Sequence, residues 1–432
     1  MTKSSKPQSR FTRRQFLSTT AKLGAALVAA PLIVPASVLG RGGAIAPSER
    51  IVLGAIGIGG RGSYVLGCFL AEEDVQFVAI CDVKEQRRQS VKKRADDKYG
   101  NTDCAMYRDL RELLARPDIN AVLIATGPNW HALASTMAAK AGKDVYCEKP
   151  CAKTIVDSLA LAETFRRTGR VFQGGMQRRS LPNFEFAANL ALNGKLGKLQ
   201  TLHAHPGGLA TTTSGWPTPE PEPSKEEGDW DLYLGPAAWR PFNSALFAHG
   251  GSFEKGGGLT GGGCLEWGSH CIDLCQWANN ADRTAPIEYW PENNQLHARY
   301  ANGVKLVVRG DGWLPNIGSC PARYEGATGW VETGDNGDIY TSSPDLLAGR
   351  RAKIAGYPAN FHVRNFLDCV KSRAQTRVNA ETACYSHIAC NAGNIALFLN
   401  RKVVFDPVKH EFPGDEIANR LRSEALREPW RI

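Results

Sequence analysis

The chain has 432 residues, and 43% of them are hydrophobic, which is enough for a sizeable core and for two or three domains. Its formal net charge of +9 depends on the first 40 residues, which hold six Lys and Arg and no acid, so that the remainder carries only +3. A mature protein so close to balance gives no electrostatic argument for nucleic-acid binding.

The N-terminus is predicted to be a targeting segment. Arg13 and Arg14 precede an apolar stretch, residues 23–39, which glycine and proline interrupt and which is short for a membrane span of about 20 residues. This order is typical of a twin-arginine signal peptide; a basic disordered tail is the alternative. We expect residues 1–45 to be signal and linker. The twin-arginine (Tat) machinery would export the folded protein to the periplasm or beyond, with no stable membrane span.

The twelve cysteines do not follow the dense pattern of a small disulfide-bonded scaffold. Cys264, Cys271 and Cys275 surround His270, which raises the question of a metal site. There is no Cys-x-x-Cys pair among them, and buried free cysteines are common in proteins. We therefore predict no metal.

From residue 51 to residue 147, short apolar runs alternate with helical segments. The predicted strands are Ile51–Ile56, Val75–Ile80, Ala121–Ala125 and Val145–Cys147, and the predicted helices are Gly62–Ala71, Lys84–Tyr99 and His131–Ala141. This alternation predicts an α/β domain over residues 46–170, with a doubly wound parallel (Rossmann) sheet.

Residues 171–410 are predicted to form an α+β domain with a large open, mainly antiparallel sheet, followed by a C-terminal tail over residues 411–432. Its predicted elements are a strand at Leu199–Ala204, a hairpin at Gln295–Gly310 that turns at Asn302-Gly303, and helices at Phe361–Val370 and Glu381–Leu399. A long insertion, at about residues 207–263, is rich in Gly, Pro, Thr and Trp. Irregular segments of this length are often functional.

The segment from Gly57 to Gly62 predicts a dinucleotide site. It has the pattern G-x-G-x-x-G between a strand and a helix, formed by Gly57, Gly59 and Gly62, with Gly60 and Arg61 between. The glycines permit a tight turn and close approach of the backbone to a pyrophosphate, which binds at the helix N-terminus. The alternative is a structural turn.

Asp82 follows the second strand, 20 residues after Gly62, where a carboxylate binds the ribose hydroxyls. Because a carboxylate repels a 2′-phosphate, Asp82 favours NAD over NADP. Lys84, Arg87 and Arg88 lie just downstream and could soften that preference, so NADP stays possible.

Two further segments carry candidate proton-handling residues. The strand ending at Cys147 leads into Glu148-Lys149-Pro150, at the sheet edge where ligands bind; an ordinary turn is the alternative. A helix from about Gly263 would place Glu266, His270 and Asp273 on one face, where a carboxylate could orient the imidazole. A solvated helix face is the alternative there.

Together these motifs, with Gly194-x-x-Gly197-Lys198 before a strand and Gly262-Gly263 before His270, resemble the family of glucose–fructose oxidoreductase, inositol dehydrogenase and the rhizopine-catabolism protein MocA. The resemblance covers residue 48 to the C-terminus. It implies a nucleotide-binding domain followed by an α/β domain whose open sheet often mediates dimers or tetramers. A homo-oligomer is therefore expected.

The resemblance also implies residue roles. Lys149 and His270 would act at the substrate carbon beside the nicotinamide. The loop with Thr126, Asn129 and His131 would lie along the nicotinamide ribose, and Gln177-Arg178 would lie at the domain junction. One departure is Glu266, which stands where dehydrogenases of the family often have Asp.

The segment from Asp229 to Asn243 resembles an insertion in exported branches of the family. In it, Trp230, Trp239 and Arg240 could stack on sugar rings or could anchor a core or an interface.

These features predict an oxidoreductase that uses NAD to oxidise or reduce a secondary hydroxyl or carbonyl of a sugar, polyol or glycoside. A redox-neutral NAD-dependent glycosidase of the same fold, which oxidises, eliminates and reduces, is one alternative. A ligand sensor without activity is another, which the intact Lys149, His270 and Asp273 disfavour.

Overall fold

The computed structural model describes residues 45–209, 218–248, 262–310, 317–349 and 358–432. The predicted twin-arginine segment, apart from residue 45, lies outside these ranges. Residues 45–50 contain one short 3-10 helix, Pro47–Glu49. Within the described ranges, no helix has both the length and the apolar character needed to cross a bilayer.

A six-stranded parallel sheet forms the first layer. Its strands are β1 (Ile51–Ile56), β2 (Val75–Cys81), β3 (Ala105–Tyr107), β4 (Ala121–Ile124), β5 (Asp144–Cys147) and β6 (Phe172–Gly174). They are arranged in the order β3-β2-β1-β4-β5-β6, so the strand order reverses at a topological switch point between β1 and β4. The predicted doubly wound sheet is confirmed, and β6 extends it past residue 170.

Helices cover both faces of this sheet, which explains the continuous apolar runs of its strands. They are α1 (Gly60–Leu70), α2 (Glu85–Tyr99), α3 (Leu110–Leu114), α4 (Pro128–Lys140) and α5 (Ile155–Thr168). Leu53 and Ala55 of β1 pack into one hydrophobic cluster, and Ile56 packs into the other. The side chains of Asp109 and Thr154 cap the N-termini of α3 and α5.

An eight-stranded sheet forms the second layer. Its strands are β7 (Leu199–Ala204), β8 (Glu288–Glu292), β9 (Gln295–Arg299), β10 (Lys305–Arg309), β11 (Ala322–Gly326), β12 (Trp330–Thr333), β13 (Ile339–Thr341) and β14 (Val403–Val404). Their order is β13-β12-β11-β7-β10-β9-β8-β14, and every pair except β7 with β10 is antiparallel. The predicted strand at residue 199 and the β9–β10 hairpin are confirmed.

Five helices of the second half pack on the two sheets or on one another. They are α6 (Pro182–Leu192), α9 (Gly263–Glu266), α10 (Gly268–Ala278), α11 (Asn360–Ser372) and α12 (Ala380–Leu399). Helix α11 buries Phe366 and Leu367 against the first layer, in one cluster with Phe69 of α1. The chain therefore returns to the nucleotide-binding domain after it has built the second sheet.

The insertion and the tail are also ordered where they are described. Residues 218–248 contain α7 (Trp230–Leu234) and α8 (Ser244–Ala248), and the tail contains α13 (Glu416–Arg420). Trp230 is a core anchor, because it is 2% exposed, packs in a small cluster with Leu234, and donates from its indole nitrogen to the Arg240 carbonyl at 2.8 Å. Trp239 is exposed.

Candidate active site

The glycine-rich turn lies at the topological switch point between β1 and β4. Gly57 has φ +71°, and a Cβ there would lie 2.7 Å from the Thr126 Cα, so only glycine fits. A Cβ at Gly62 would lie 2.8 Å from the Ala125 Cβ. Both glycines therefore have the steric roles expected of a dinucleotide-binding turn.

Helix α1 presents an uncapped N-terminus to this turn. Its N-cap is Gly59, and no side chain caps the helix. A Cβ at Gly60 would meet nothing within 4 Å. Unpaired backbone N–H groups beside open space are suited to a pyrophosphate, so the residues present fit a dinucleotide.

Asp82 is buried and fixed by the backbone. One carboxylate oxygen accepts from the Ile58 amide and the other from the Lys84 amide, each at 2.9 Å. Since each oxygen has a second lone pair, the carboxylate keeps the capacity to accept ribose hydroxyls. Arg87 approaches it to 3.9 Å.

The opposite end of the cavity holds Lys149. Its ammonium donates to the Glu266 carbonyl oxygen at 3.0 Å and lies 5.1 Å from the centre of the Trp267 ring. Burial lowers the pKa of Lys149 below its usual value, and nearby Glu266 and Glu148 oppose that shift. A lysine with a lowered pKa can serve as a proton acceptor near neutral pH.

Glu148 is a positioned carboxylate. It is 4% exposed, and it accepts from the Gln177 amide nitrogen at 2.7 Å and from Arg61 at 3.4 Å. A Cβ at Gly175 would lie 2.9 Å from the Glu148 Cα, so the chain packs closely behind it. Gln177 therefore does not line the cavity itself but positions the Glu148 carboxylate, which does.

His270 lies beside Lys149 and is 3% exposed. Burial lowers the pKa of His270 far below its usual value, and the positive charges of Arg178 and Lys149 act in the same direction. Its Nδ1 has no hydrogen-bond partner among the described residues. The imidazole is therefore neutral, and no described carboxylate orients it through that nitrogen.

The predicted face of Glu266, His270 and Asp273 is wrong in its detail. The segment forms two helices, α9 and α10, which are separated at Trp267. Asp273 faces away from the cavity: its carboxylate accepts from Arg179 at 2.7 and 2.8 Å and from the Ser386 hydroxyl at 2.7 Å. Asp273 therefore anchors the helix, because buried charges require such partners.

The ribose-loop residues have mainly internal partners. Both ring nitrogens of His131 lie against carbonyls, of Pro150 at 2.7 Å and of Thr126 at 3.0 Å. Burial lowers the pKa of His131 to about 4. The Asn129 amide donates to the carbonyls of Tyr233 and Leu234, so it binds the insertion.

One cavity of about 470 Å³ joins the two ends. The sequence-predicted residues that line it are Gly57, Gly59, Gly60, Arg61, Gly62, Asp82, Thr126, His131, Glu148, Lys149, Glu266 and His270. Asn129, Gln177 and Asp273 do not line it. Most of the site residues predicted from the sequence thus line the cavity. The three exceptions bind and position residues or segments next to the cavity.

Sequence reasoning did not assign several lining residues to the cavity. Arg108 and Asp109 follow β3, Trp267 interrupts the helix pair, and Leu232 and Tyr233 come from the insertion. The aromatic character of the insertion was a signal that it contacts something, but it pointed equally to a sugar or to a core. The tertiary position of the insertion could not be inferred from its composition.

All twelve cysteines are free thiols, and eleven of them are buried. Over the described ranges, no three His, Cys, Asp or Glu side chains are grouped as metal ligands. Cys264, Cys271 and Cys275 belong to the hydrophobic core of the second layer.

Solved structures share this fold. The myo-inositol 2-dehydrogenase of Lactobacillus plantarum superposes with a TM-score of 0.59, covering 83% of this chain and all of that one at 16% identity. An aldose-aldose oxidoreductase of Caulobacter crescentus, complexed with glycerol, gives 0.58, covering 82% of this chain and all of that one at 18% identity.

Curated relatives match over shorter stretches. A myo-inositol 2-dehydrogenase of Thermotoga maritima is 31% identical over 150 residues, which are 35% of this chain and 43% of that one. A glycosyl hydrolase family 109 protein of Saccharopolyspora erythraea is 32% identical over 176 residues, 37% of this chain and 38% of that one. The chain thus aligns with less than half of each relative's length.

Two family domains together cover most of the sequence. Residues 51–176 match the NAD-binding Rossmann domain of the oxidoreductase family, and residues 212–432 match its C-terminal alpha/beta domain. The chain therefore belongs to the Gfo/Idh/MocA oxidoreductase family.

Proposed function

We propose that this protein is an NAD-dependent oxidoreductase that acts on a secondary hydroxyl or carbonyl group of a sugar, polyol or glycoside. The observation that carries the proposal is the continuous cavity that runs from the glycine-rich turn and Asp82 to Lys149 and His270. A nucleotide bound at the first end would reach the two proton-handling side chains at the second.

NAD is favoured over NADP by the positions of the basic residues near Asp82. The Lys84 ammonium donates to the Phe247 carbonyl, and Arg88 donates to the carbonyls of Asp82 and Glu226 at 2.7 and 3.1 Å. Both side chains are thus committed to backbone oxygens. Of Lys84, Arg87 and Arg88, Arg87 is the one whose guanidinium has no backbone partner among the described residues and could turn to a 2′-phosphate.

The mechanism assigns different roles to Lys149 and His270. When bound, the nicotinamide would accept a hydride from the carbinol carbon. Lys149, in its neutral form, takes the hydroxyl proton, and its ammonium then stabilises the charge that develops on the oxygen. Burial favours the neutral amine, which prepares it for this role.

His270 is assigned as a neutral hydrogen-bond donor. Protonation would place an Nδ1–H in a buried position where no described residue accepts it. The better tautomer has its proton on Nε2, because a buried lone pair without a partner costs less than a buried N–H without one. Nε2–H would then hold the substrate oxygen for Lys149.

The alternative is a redox-neutral glycosidase, which the similarity to glycosyl hydrolase family 109 proteins favours. Such an enzyme needs an additional base beside the substrate. The Tyr233 hydroxyl donates to Leu246, Tyr300 binds Gln276 in the core, and Tyr340 lies exposed on β13. None of the three supplies that base, so the dehydrogenase is the first choice.

A product screen tests the proposal. Purified protein is denatured to identify any released nucleotide and is assayed by mass spectrometry against sugars, polyols and glycosides, without added cofactor and then with NAD⁺. We expect released NAD(H) and an oxidised product. NADP(H) as the sole nucleotide would contradict the assignment of Asp82. Cleavage of a glycoside without added cofactor, by protein that retains NAD(H) and gives no net oxidised product, would support the glycosidase.

A further inference from the structure

The insertion forms one wall of the nucleotide end of the cavity. Its main chain pairs with the residues that follow β2: the Glu85 amide donates to the Glu227 carbonyl at 3.1 Å, and the Asp229 amide donates to the Val83 carbonyl at 3.2 Å. Val83 comes directly after Asp82, where the adenosine ribose is expected. The insertion is therefore fixed beside the adenosine half of the site.

Basic side chains of the first layer reinforce this attachment. The Lys84 ammonium lies 4.1 Å from the centre of the Phe247 ring and binds its carbonyl. Arg108 donates to the Lys225 carbonyl at 3.3 Å and lies 3.7 Å from the Asp229 carboxylate. Cationic side chains that follow β2 and β3 thus bind carbonyl and carboxylate oxygens of the insertion.

The insertion is attached to the β4 side as well. Asn129 donates to the carbonyls of Tyr233 and Leu234 at 3.2 and 2.9 Å, and the Trp130 indole donates to the Leu232 carbonyl at 2.8 Å. A Cβ at Gly235 would collide with the Trp130 ring. Because the insertion binds the first sheet on both sides of the topological switch point, it spans the cavity. Leu232, Tyr233 and Ala248 of the insertion line the cavity.

The aromatic side chains of this wall pack into one cluster. Tyr233 stacks on Trp230 with ring centres 5.2 Å apart and planes at 15°, and its hydroxyl donates to the Leu246 carbonyl at 2.8 Å. Phe242 and Phe247 pack edge-on against the same Trp230 ring. Such a cluster moves as a unit, if it moves at all.

The C-terminal tail fastens this wall from outside. Arg427 bonds the Asp231 carboxylate, the Asp231 carbonyl at 2.7 Å and the Gly235 carbonyl at 3.0 Å, and its amide donates to the Pro236 carbonyl at 2.9 Å. Trp430 packs edge-on against Trp130, with ring centres 4.7 Å apart. The tail thus holds the insertion against α4.

We propose that residues 220–248 complete the adenosine half of the dinucleotide site, and that Arg427 and Trp430 latch this wall shut and so retain the cofactor between turnovers. The inference rests on the proposed function. The ligand held is an adenosine-containing dinucleotide, and its release requires the tail contacts to break first.

Nucleotide dissociation tests the latch independently of turnover. Wild-type protein and an Arg427→Ala variant are loaded with NADH, and loss of bound NADH fluorescence is followed after excess NAD⁺ is added. We expect at least a tenfold faster release from Arg427→Ala, because the substitution removes the three hydrogen bonds that the guanidinium makes to Asp231 and Gly235. Arg431→Ala, which removes an exposed ion pair with Glu428 in the same tail, is the control and should release NADH like wild type.

The outcomes separate the two proposals. Wild-type protein that binds neither NADH nor NADPH would overturn the proposed function itself. Binding with equal release rates for wild type and Arg427→Ala would overturn only the latch. If Arg427→Ala does not fold by circular dichroism, Asp231→Asn, which weakens the same contact at an exposed carboxylate, decides the question by the same measurement.

Discussion

Lys149 and His270 share one end of the cavity, but their surroundings permit different chemistry. Lys149 retains a carbonyl partner for its ammonium, so it can exist charged or neutral. His270 has no partner at Nδ1 among the described residues, so its charged form is strongly disfavoured. The Glu-Lys-Pro motif and the histidine were visible in the sequence. Their different roles, proton acceptor and neutral hydrogen-bond donor, depend on tertiary contacts that the motifs do not specify.

This difference predicts distinct mutant behaviour. Lys149→Ala should lower kcat by about 10²- to 10⁴-fold, because it removes both proton acceptor and oxyanion partner. His270→Ala should also lose activity, whereas His270→Gln, which keeps a neutral N–H donor, should retain more. The double Ala variant should lose less than the two single losses combined, because both groups act on one oxygen.

Single-turnover reduction of bound NAD⁺ across pH measures these effects, and nucleotide affinity serves as the control. The acid limb of the profile should persist in His270→Gln and should belong to Lys149. If the limb vanished in His270→Gln but remained in Lys149→Ala, His270 would be the base. An unchanged rate in Lys149→Ala would reduce Glu-Lys-Pro to a turn.

At the scale of elements, the sequence predicted the periodic segments well and misjudged the interruption of one helix. Strands β1, β2 and β4 are short apolar runs that the helices cover on both faces, and α11 has an apolar face that packs on the first layer. The break at Trp267 has no such signature, because local propensity does not forbid a continuous helix there. Once the helix breaks, spacing alone no longer places Glu266, His270 and Asp273 on one face.

Asp273 gives a prediction at this scale. Asp273→Asn should destabilise the fold by about 3 kcal/mol, since it leaves Arg179 buried with Asp282 as its remaining charged partner. Urea unfolding measures the loss, with Asp97→Asn as the control, because Asp97 is in an exposed ion pair with Lys93 and should change stability little. A large fall in kcat with unchanged stability would instead restore a catalytic role to Asp273.

The whole molecule shows why fold class was easier to predict than domain packing. Strand-helix alternation dictated the parallel sheet, and the hairpin at Asn302-Gly303 indicated the antiparallel one. However, α11 and the tail return to the first layer through contacts between residues some 290 positions apart, such as Arg364 with Asp74 at 2.9 Å. Such pairings leave no local pattern, and the position of the insertion across the cavity depends on them in the same way.

The histidines predict how the whole fold responds to acid. His131, His362 and His387 are fully buried, and burial lowers the pKa of each to about 4. Burial also lowers the pKa of His270 well below its usual value. His387 illustrates the requirement: its Nε2 accepts from the Cys151 amide at 2.9 Å while its Nδ1 donates to the Ala383 carbonyl, an arrangement that only the neutral ring can make.

Between about pH 6.5 and pH 4, these four side chains are protonated in the unfolded chain but stay neutral in the native one. The unfolded state then binds more protons, so the free energy of unfolding should fall as the pH drops from 6.5 towards 4, by up to about 1.4 kcal/mol per pH unit for each group. Asp157 and Asp273, whose carboxyl pKa values burial raises, act in the opposite sense but are fewer.

Urea unfolding at pH 7.5 and pH 5.0 checks this expectation, and the native state should be several kcal/mol less stable at the lower pH. His387→Gln supplies a matched variant, because an amide can accept from Cys151 and donate to Ala383 without titrating. It should weaken the pH dependence by about a quarter, since it removes one of four groups. Equal stability of the wild-type protein at both pH values would mean that these imidazoles are charged in the native state, and the neutral donor assigned to His270 would fail with them.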